Sequence, residues 1–280
     1  MMRAWQITGA GNGIGRATAL LFAAEGCKVG VVDRDVAAGE AVVAAIQSKG
    51  GTATFVECDV SSEQSINAAV EAVVQALGGL NILVNVAGVN IMATVTETEI
   101  ERWDRAQHVN LRSVFLASKA ALPHLMAGGP SSIVNTSSVQ ATRGVPNFPS
   151  YAASKAGMQG LSRQMAVDYA QHAVRINCVS PGGIETGLNA NSQLLEQEFL
   201  PKTATPVQNQ MNRDPADPEA IELSYDPTPR LFVQGLPIDV AYTILFLASE
   251  ESVHITGQNL MVDGGSSIAA NAGNVPGISR

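Results

Sequence analysis

Positive charge is scarce in this sequence and nowhere clustered. Its 17 Lys and Arg stand against 25 Asp and Glu, for a formal charge of −8. Nucleic-acid binding needs a basic face to neutralise phosphates, so that class of partner is excluded. Long apolar runs are missing too: none reaches the roughly 20 residues that a membrane-spanning helix needs, which argues against a membrane partner. The start, "MMRAWQITGA", has no long apolar h-region and no small-residue cleavage site. It enters a strand-like run within a few residues, an abruptness that suggests a trimmed or misassigned beginning. Cysteine is limited to Cys27, Cys58 and Cys178. Odd in number and set in or beside apolar runs, they read as buried core thiols of a cytoplasmic protein. The histidines His108, His124, His172 and His254 show no metal-ligand spacing, so no metal is expected. There is no internal repeat, no low-complexity tract and no G-x-S-x-G nucleophile motif.

What is present is a rhythm. Apolar residues make up 46% and charged ones 15% of 280 residues, which suits one large domain over residues 1–280. The runs "AWQIT", "KVGVVD", "TATFVECDV", "LNILVNVAG", "SSIVNTSS", "VRINCVSPG" and "QNLMVDGG" are rich in β-branched residues and end in turn-forming or polar ones. Between them, segments such as "GIGRATALLFAAEG" space their apolar residues as helices do and stop at Gly. Strand–helix alternation predicts an α/β fold: a doubly wound parallel sheet of about seven strands with helices on both faces. Ligands of such sheets bind at the carboxyl edge of the strands. Residues 188–235 break the rhythm with six prolines, scattered acids and no strand pattern. They read as an insertion acting as a lid over that edge, with "LLEQEFL" (Leu194 to Leu200) supplying a short apolar helix.

"ITGAGNGIGRATA" follows the first strand and opens a helix. Gly9, Gly13 and Gly15 let the backbone turn tightly and approach a pyrophosphate, while Asn12 and Ile14 complete the loop. The helix N-terminus behind them offers free N–H groups and a positive dipole end. The second strand ends at Asp33, whose carboxylate can accept from both adenosine ribose hydroxyls and would repel a 2′-phosphate. That favours NAD over NADP. Arg34 pulls the other way if it meets a phosphate, but it can equally lie against adenine.

Seven motifs in order resemble the short-chain dehydrogenase/reductase family, a Rossmann-like fold, over nearly the whole chain apart from 188–235. They are Thr8-Gly9-x-x-x-Gly13-x-Gly15, "CDV", "NVAG", "HVNL", "NTSSVQ", "YAASK" and "PGGIET". The resemblance implies that Asp59 and Val60 hold the adenine, and that Asn85, Ala87 and Gly88 flank the cofactor. It also implies that Pro181, Gly182, Ile184 and Thr186 form the loop touching the nicotinamide side. Val86 stands where the family usually has a second Asn. By the same resemblance Asn110, Ser138, Tyr151 and Lys155 are catalytic, with the Asn110 side chain holding a relay water between Lys155 and solvent. Family members are usually tetramers, so a homotetramer is expected.

The chemistry suits these residue types. Residues i and i+4 share a helix face, which sets Lys155 one turn from Tyr151. A phenol ordinarily titrates near about 10. An adjacent ammonium and the positive ring of an oxidised nicotinamide stabilise phenolate and bring it into the working range of an acid–base catalyst. Tyr151 would then exchange the hydroxyl proton while hydride passes between the substrate carbon and the nicotinamide. Lys155 would also hold the nicotinamide ribose, and Ser138 would steady the substrate oxygen. Gln140 and Leu188, together with Tyr151, Met92, Val139 and Phe148, are candidate substrate contacts around a mainly apolar pocket, which points to a secondary alcohol or its ketone, possibly cyclic. The alternative is a regulator that binds NAD(H) as a signal with little turnover. The full set of four speaks against it, because a sensor needs only the cradle. Enoyl reduction is disfavoured because related enoyl reductases space tyrosine and lysine more widely.

Overall fold

The computed structural model describes residues 4–188, 229, 231 and 233–268. The seven apolar runs become seven strands: β1 (Ala4–Thr8), β2 (Lys28–Asp33), β3 (Thr52–Glu57), β4 (Ile82–Asn85), β5 (Ser131–Thr136), β6 (Val174–Pro181) and β7 (Asn259–Val262). They form one sheet in the order β3-β2-β1-β4-β5-β6-β7, with every pair parallel. The direction of winding reverses between β1 and β4. At such a point the loops leave in opposite directions and open a crevice at the strand ends. In register, Thr8 lies opposite Asn85 and Asn85 opposite Asn135, so the residues that follow all three line this one edge.

Seven α-helices cover the two faces among the described residues: α1 (Gly13–Ala24), α2 (Val36–Ser48), α3 (Glu63–Leu77), α4 (Ile100–Gln107), α5 (Ser113–Ala127), α6 (Pro149–Asp168) and α7 (Pro237–Ala248). Strands β1, β4 and β5 are buried throughout, and in β4 the run Ile82, Leu83, Val84 is accordingly continuous rather than alternating. One core packs Phe22 of α1, Ile46 of α2 and Ile244 and Leu247 of α7 against the sheet. The other packs Val70 and Val73 of α3, Leu116 and Leu125 of α5 and Met165 of α6. Each such fully buried side chain contributes roughly 1.5–3 kcal/mol. Local signals set the boundaries: Asp35 caps α2 by accepting from Ala38 N at 3.0 Å, and Gly78, at φ 80°, ends α3.

One expectation needs amendment. Cys58 and Cys178 are buried, but Cys27 is only half-buried, at the turn before β2. Asn110 does not sit in a regular α-helix. It lies in a π-helical stretch, His108–Arg112, between α4 and α5, and its side chain is fully buried. One extra residue per turn there is a device for aiming a side chain inward. Most of the segment read as a lid, including Leu194 to Leu200, lies outside the described residues. Its last residue meets the chain just before it: Ile184 and Gly235 form a parallel bridge, and Glu185 N donates to Gly235 O at 2.9 Å.

Candidate active site

The cradle begins where β1 ends. Thr8 Oγ1 accepts from Val86 N at 3.2 Å and Ala87 N at 3.4 Å, binding the glycine loop to the loop after β4. Gly9, at φ +67°, sits so close to that loop that a Cβ would fall 2.8 Å from the Ala87 backbone. A Cβ on Gly15 would fall 2.0 Å from Gly9 O. Gly13, at φ +53°, opens α1, whose first turn holds no acidic side chain. The groove beside this loop is thus kept free of side chains and faced by unpaired helix N–H groups, the surface a pyrophosphate fits.

Asp33 closes the far side. Its Oδ2 accepts from Gly11 N at 2.8 Å and its Oδ1 from Asp35 N at 3.0 Å. Backbone donors therefore fix the carboxylate beside the glycine loop, with lone pairs left for ribose hydroxyls. Arg34 is exposed. Asp59 and Val60 lie just past β3, next to Asp33 through the bond from Cys58 N to Asp33 O. The Asp59 carboxylate accepts from Ser61 N and Oγ at 2.9 and 2.8 Å and shapes the turn into α3. Asn85 is buried and donates to Asn135 Oδ1 at 2.8 Å, so its amide holds β4 to β5. Ala87 and Gly88 flank the crevice instead.

The second cluster surrounds α6, which Pro149 opens. Tyr151 and Lys155 are 8% and 3% exposed, and Lys155 Nζ lies 5.5 Å from the centroid of the Tyr151 ring. Ser138 hydrogen-bonds to the Tyr151 side chain. Lys155 Nζ donates to Thr136 O at 2.7 Å. Gly88 reaches the same place: a Cβ there would lie 3.3 Å from Asn110 Oδ1 and 3.6 Å from Lys155 Nζ. Asn110, Ser138, Tyr151 and Lys155, drawn from three separate parts of the chain, thus converge at the strand edge beside Gly88.

One detail differs from the sequence expectation, and a second turns on the cofactor. Asn110 Oδ1 accepts from Val89 N at 2.8 Å, while Nδ2 donates to Val89 O at 2.9 Å and Ser154 Oγ at 3.1 Å. Both amide hydrogens are occupied, so the side chain fixes the Val89 loop and, through Ser154, the Tyr151 carbonyl, rather than donating to a relay water. Nor does the chain by itself acidify the phenol. Burial pushes Tyr151 up to about 12, opposed by the Ser138 hydrogen bond. Lys155 is pushed down to about 8, again by burial, with Cys178 opposing. Desolvation acts against both charges and outweighs their proximity.

The remaining expected residues ring this pair. The loop after β6 packs back on the cradle: the Thr186 methyl lies 3.2 Å from where a Gly13 Cβ would be. Pro181 pairs with Val262 of β7, and Gly182 packs against Asp263. Gln140 N donates to Ser138 Oγ at 3.2 Å, and its Oε1 is buried without a partner. The Phe148 ring stands edge-on to Tyr151, with centroids 6.4 Å apart. Val139 is buried, Met92 is exposed, and Leu188 N donates to Thr186 Oγ1 at 3.4 Å. No group of three or more potential metal ligands occurs among the described residues. No helix among them is long and apolar enough to cross a membrane. Sequence reasoning missed Gly11, Ser154 and Gln159. Gly11 was in view as the third residue of the loop, but the other two carry no local signal.

A dinucleotide-shaped cradle joined to a buried Tyr–Lys–Ser cluster defines a class, and comparison with known proteins agrees. The family model described as short chain dehydrogenase matches residues 4–197, and the chain belongs to that family. It is an oxidoreductase acting on CH–OH groups. A second model, described as enoyl-(acyl carrier protein) reductase, matches residues 203–267, beyond the whole Tyr–Lys–Ser–Asn cluster. Among similar proteins, 2,5-dichloro-2,5-cyclohexadiene-1,4-diol dehydrogenase LinX of Sphingobium indicum is 37% identical, covering 94% of this chain and 95% of its own. Cyclohexanol dehydrogenase of an Acinetobacter species is 36% identical over 92% of each. The crystal structure of 3-ketoacyl-(acyl-carrier-protein) reductase from Brucella melitensis complexed with NADH superposes with a TM-score of 0.77 at 30% identity, covering 95% of this chain and 98% of that one.

Proposed function

We propose that this enzyme uses NAD to interconvert a secondary alcohol on an apolar ring and the corresponding ketone. The observation that carries the reading is the meeting of Tyr151, Ser138 and Lys155 at the same strand edge as the glycine cradle. The cradle fits a dinucleotide because the positions where Cβ atoms would block it are glycine. Gly9, Asn12, Gly13, Ile14 and Gly15 would hold the pyrophosphate, Asp33 the adenosine ribose, and Pro181, Gly182, Ile184 and Thr186 the nicotinamide side. When bound, the oxidised nicotinamide would accept the hydride and add a second positive charge beside that of Lys155.

The residues of the chain do the rest. Ser138 orients the substrate oxygen and, through its bond to Tyr151, aligns it with the phenol. Tyr151 removes the hydroxyl proton in oxidation and returns it in reduction. Burial makes the protonated form of Tyr151 the resting one, and the Ser138 hydrogen bond opposes that shift toward the neutral phenol. Lys155, which donates to Thr136 O, would hold the ribose hydroxyls. Support for a ring comes from the similarity to dehydrogenases of a cyclohexadiene diol and of cyclohexanol. Support for NAD comes from the Asp33 carboxylate, fixed by Gly11 N where a 2′-phosphate would meet it. We place the enzyme in the cytoplasm as a homotetramer, with the half-exposed Phe115 of α5 and exposed Val167 of α6 as contacts. Light scattering should then give about four times 29.1 kDa.

The test is a panel of cyclic and open-chain secondary alcohols with NAD or NADP, followed by absorbance of the reduced cofactor. Cyclic alcohols with NAD should turn over fastest. A clear preference for NADP, or for linear alcohols, would remove the corresponding half of the reading.

A further inference from the structure

One buried polar group close to this site has no part in the chemistry above. Gln159 lies on α6 four residues after Lys155 and eight after Tyr151, so it shares their face. It is 7% exposed, in a helix whose neighbouring buried positions include Met158 and Met165. Burying a carboxamide is unfavourable unless its hydrogens find acceptors, and here Nε2 donates to Ser137 Oγ at 3.1 Å and to Ser180 Oγ at 3.2 Å. Each serine passes its own proton on: Ser137 Oγ donates to Lys155 O at 3.0 Å, and Ser180 Oγ to Asn259 Oδ1 at 2.6 Å. The directions are mutually consistent, and every hydrogen in the chain has one acceptor.

The positions of these serines give the network its meaning. Ser137 directly precedes Ser138 and follows Thr136, whose carbonyl holds Lys155 Nζ. Ser180 directly precedes Pro181, where the loop on the nicotinamide side begins. One amide therefore joins the helix bearing Tyr151 and Lys155 to the ends of β5 and β6, and through Asn259 to β7. We infer that Gln159 is a positioning residue: it sets where Ser138 stands relative to Tyr151 and relative to the loop at Pro181. This rests on the proposed roles of Tyr151 and Ser138. An unbranched apolar side chain of similar length would fill the space and release both serines.

The same helix face supplies a comparator. Ser162, one turn further along, accepts from Asn135 Nδ2 at 2.8 Å and Cys178 Sγ at 3.1 Å, and donates to Met158 O. These bonds are equally buried, but they end on Asn135 and Cys178, each two residues short of the serines that Gln159 holds.

The experiment compares Gln159→Met, Ser180→Ala and Ser162→Ala with wild type in alcohol oxidation with NAD. It measures kcat, KM, the pH profile of kcat, NADH affinity by fluorescence and melting temperature. For Gln159→Met, kcat should fall about tenfold or more and the pH midpoint should rise, because a displaced Ser138 no longer favours phenolate. NADH affinity should stay within about twofold. Ser180→Ala should shift the midpoint the same way by less, and it stands as the test if Gln159→Met does not fold. Ser162→Ala should change melting temperature only. An unchanged midpoint in both Gln159→Met and Ser180→Ala, or an equal shift in Ser162→Ala, overturns the inference while leaving the enzyme reading intact. A wild type without turnover on any alcohol overturns that reading and the inference together.

Discussion

The two halves of the crevice are built by different means. On the adenosine side, from β1 to β3, the site is made of backbone: glycines at positive φ, a helix N-terminus, and a carboxylate held by Gly11 N and Asp35 N. On the reacting side, from β4 to β6, it is made of buried side chains that bond one another, with Asn110, Ser138, Tyr151 and Lys155 all under a tenth exposed. The first half recognises a shape through conformation. The second holds Tyr151 and Lys155 where burial disfavours their charged forms. Damage to the first should therefore appear in cofactor affinity, and damage to the second in kcat and its pH dependence.

The sharpest way to break this distinction is Tyr151→Phe. Loss of the proposed acid–base group should lower kcat by about a thousandfold or more, with NADH affinity within a few-fold of wild type. Turnover that survived would remove Tyr151 from the mechanism. The pH profile gives the sign: oxidation needs phenolate, so its kcat should climb with pH to a plateau, while ketone reduction should fall through the same midpoint. That midpoint should lie well below the value of about 12 that burial imposes without cofactor.

Gly9→Ala should produce the mirror result. A Cβ would meet the Ala87 backbone at 2.8 Å, in a region of φ that only glycine adopts freely. The neighbour is main chain and cannot yield like a flexible side chain. NADH affinity should drop about a hundredfold, with a stability loss of about 2 kcal/mol. A variant with normal affinity and reduced kcat would mean that the two halves are not separable.

The same contrast explains what could be read from the chain in advance. The adenosine half is local: glycine spacing, a strand ending in Asp33, and a helix start all fall within about 25 consecutive residues. The sheet was equally legible, since continuous apolar runs such as Ile82 to Val84 need two covered faces. Tyr151 and Lys155 were visible because i and i+4 share a helix face. What pairs across the fold was not. Nothing near Gln159 points to Ser180 or Asn259, and nothing near Asn85 points to Asn135, fifty residues on. The upward push of burial on Tyr151 was not legible for a related reason: burial is a property of the assembled core, and no spacing encodes it. The π-helical stretch around Asn110 departs from the period on which helix reading depends.

Cofactor choice is a smaller effect on the adenosine side. Asp33→Ala should shift the ratio of kcat/KM for NAD over NADP by about ten- to a hundredfold toward NADP, as a repulsive charge leaves the ribose. The shift should lie in KM, and the pH midpoint should stay fixed. A ratio that did not move would assign the choice to Arg34 or to another part of the cradle.

The smallest effect concerns stability, and it sharpens the account of the reacting side. Burial lowers Lys155 to about 8 from an ordinary value near 10.5. Below pH 8 the ammonium is protonated in both folded and unfolded chains, and the folded chain bears the desolvation penalty. Between pH 8 and 10.5 the unfolded chain binds the extra proton, so wild-type stability gains from this group as pH rises. Above 10.5 both forms are neutral and the gain is complete. Lys155→Met never carries the charge, so it should be inactive yet more stable than wild type at pH 7. The expected gain is about 1–2 kcal/mol, after allowing for the lost bond to Thr136 O. For a chain of this size that corresponds to roughly 2–6 °C in melting temperature. The advantage should shrink between pH 8 and 10.5. Tyr151 and Cys178, which burial shifts upward to about 12 and about 11, are present in both proteins and largely cancel in the difference. A variant that melts below wild type at pH 7, by an offset constant with pH, would show that Lys155 is held at no desolvation cost.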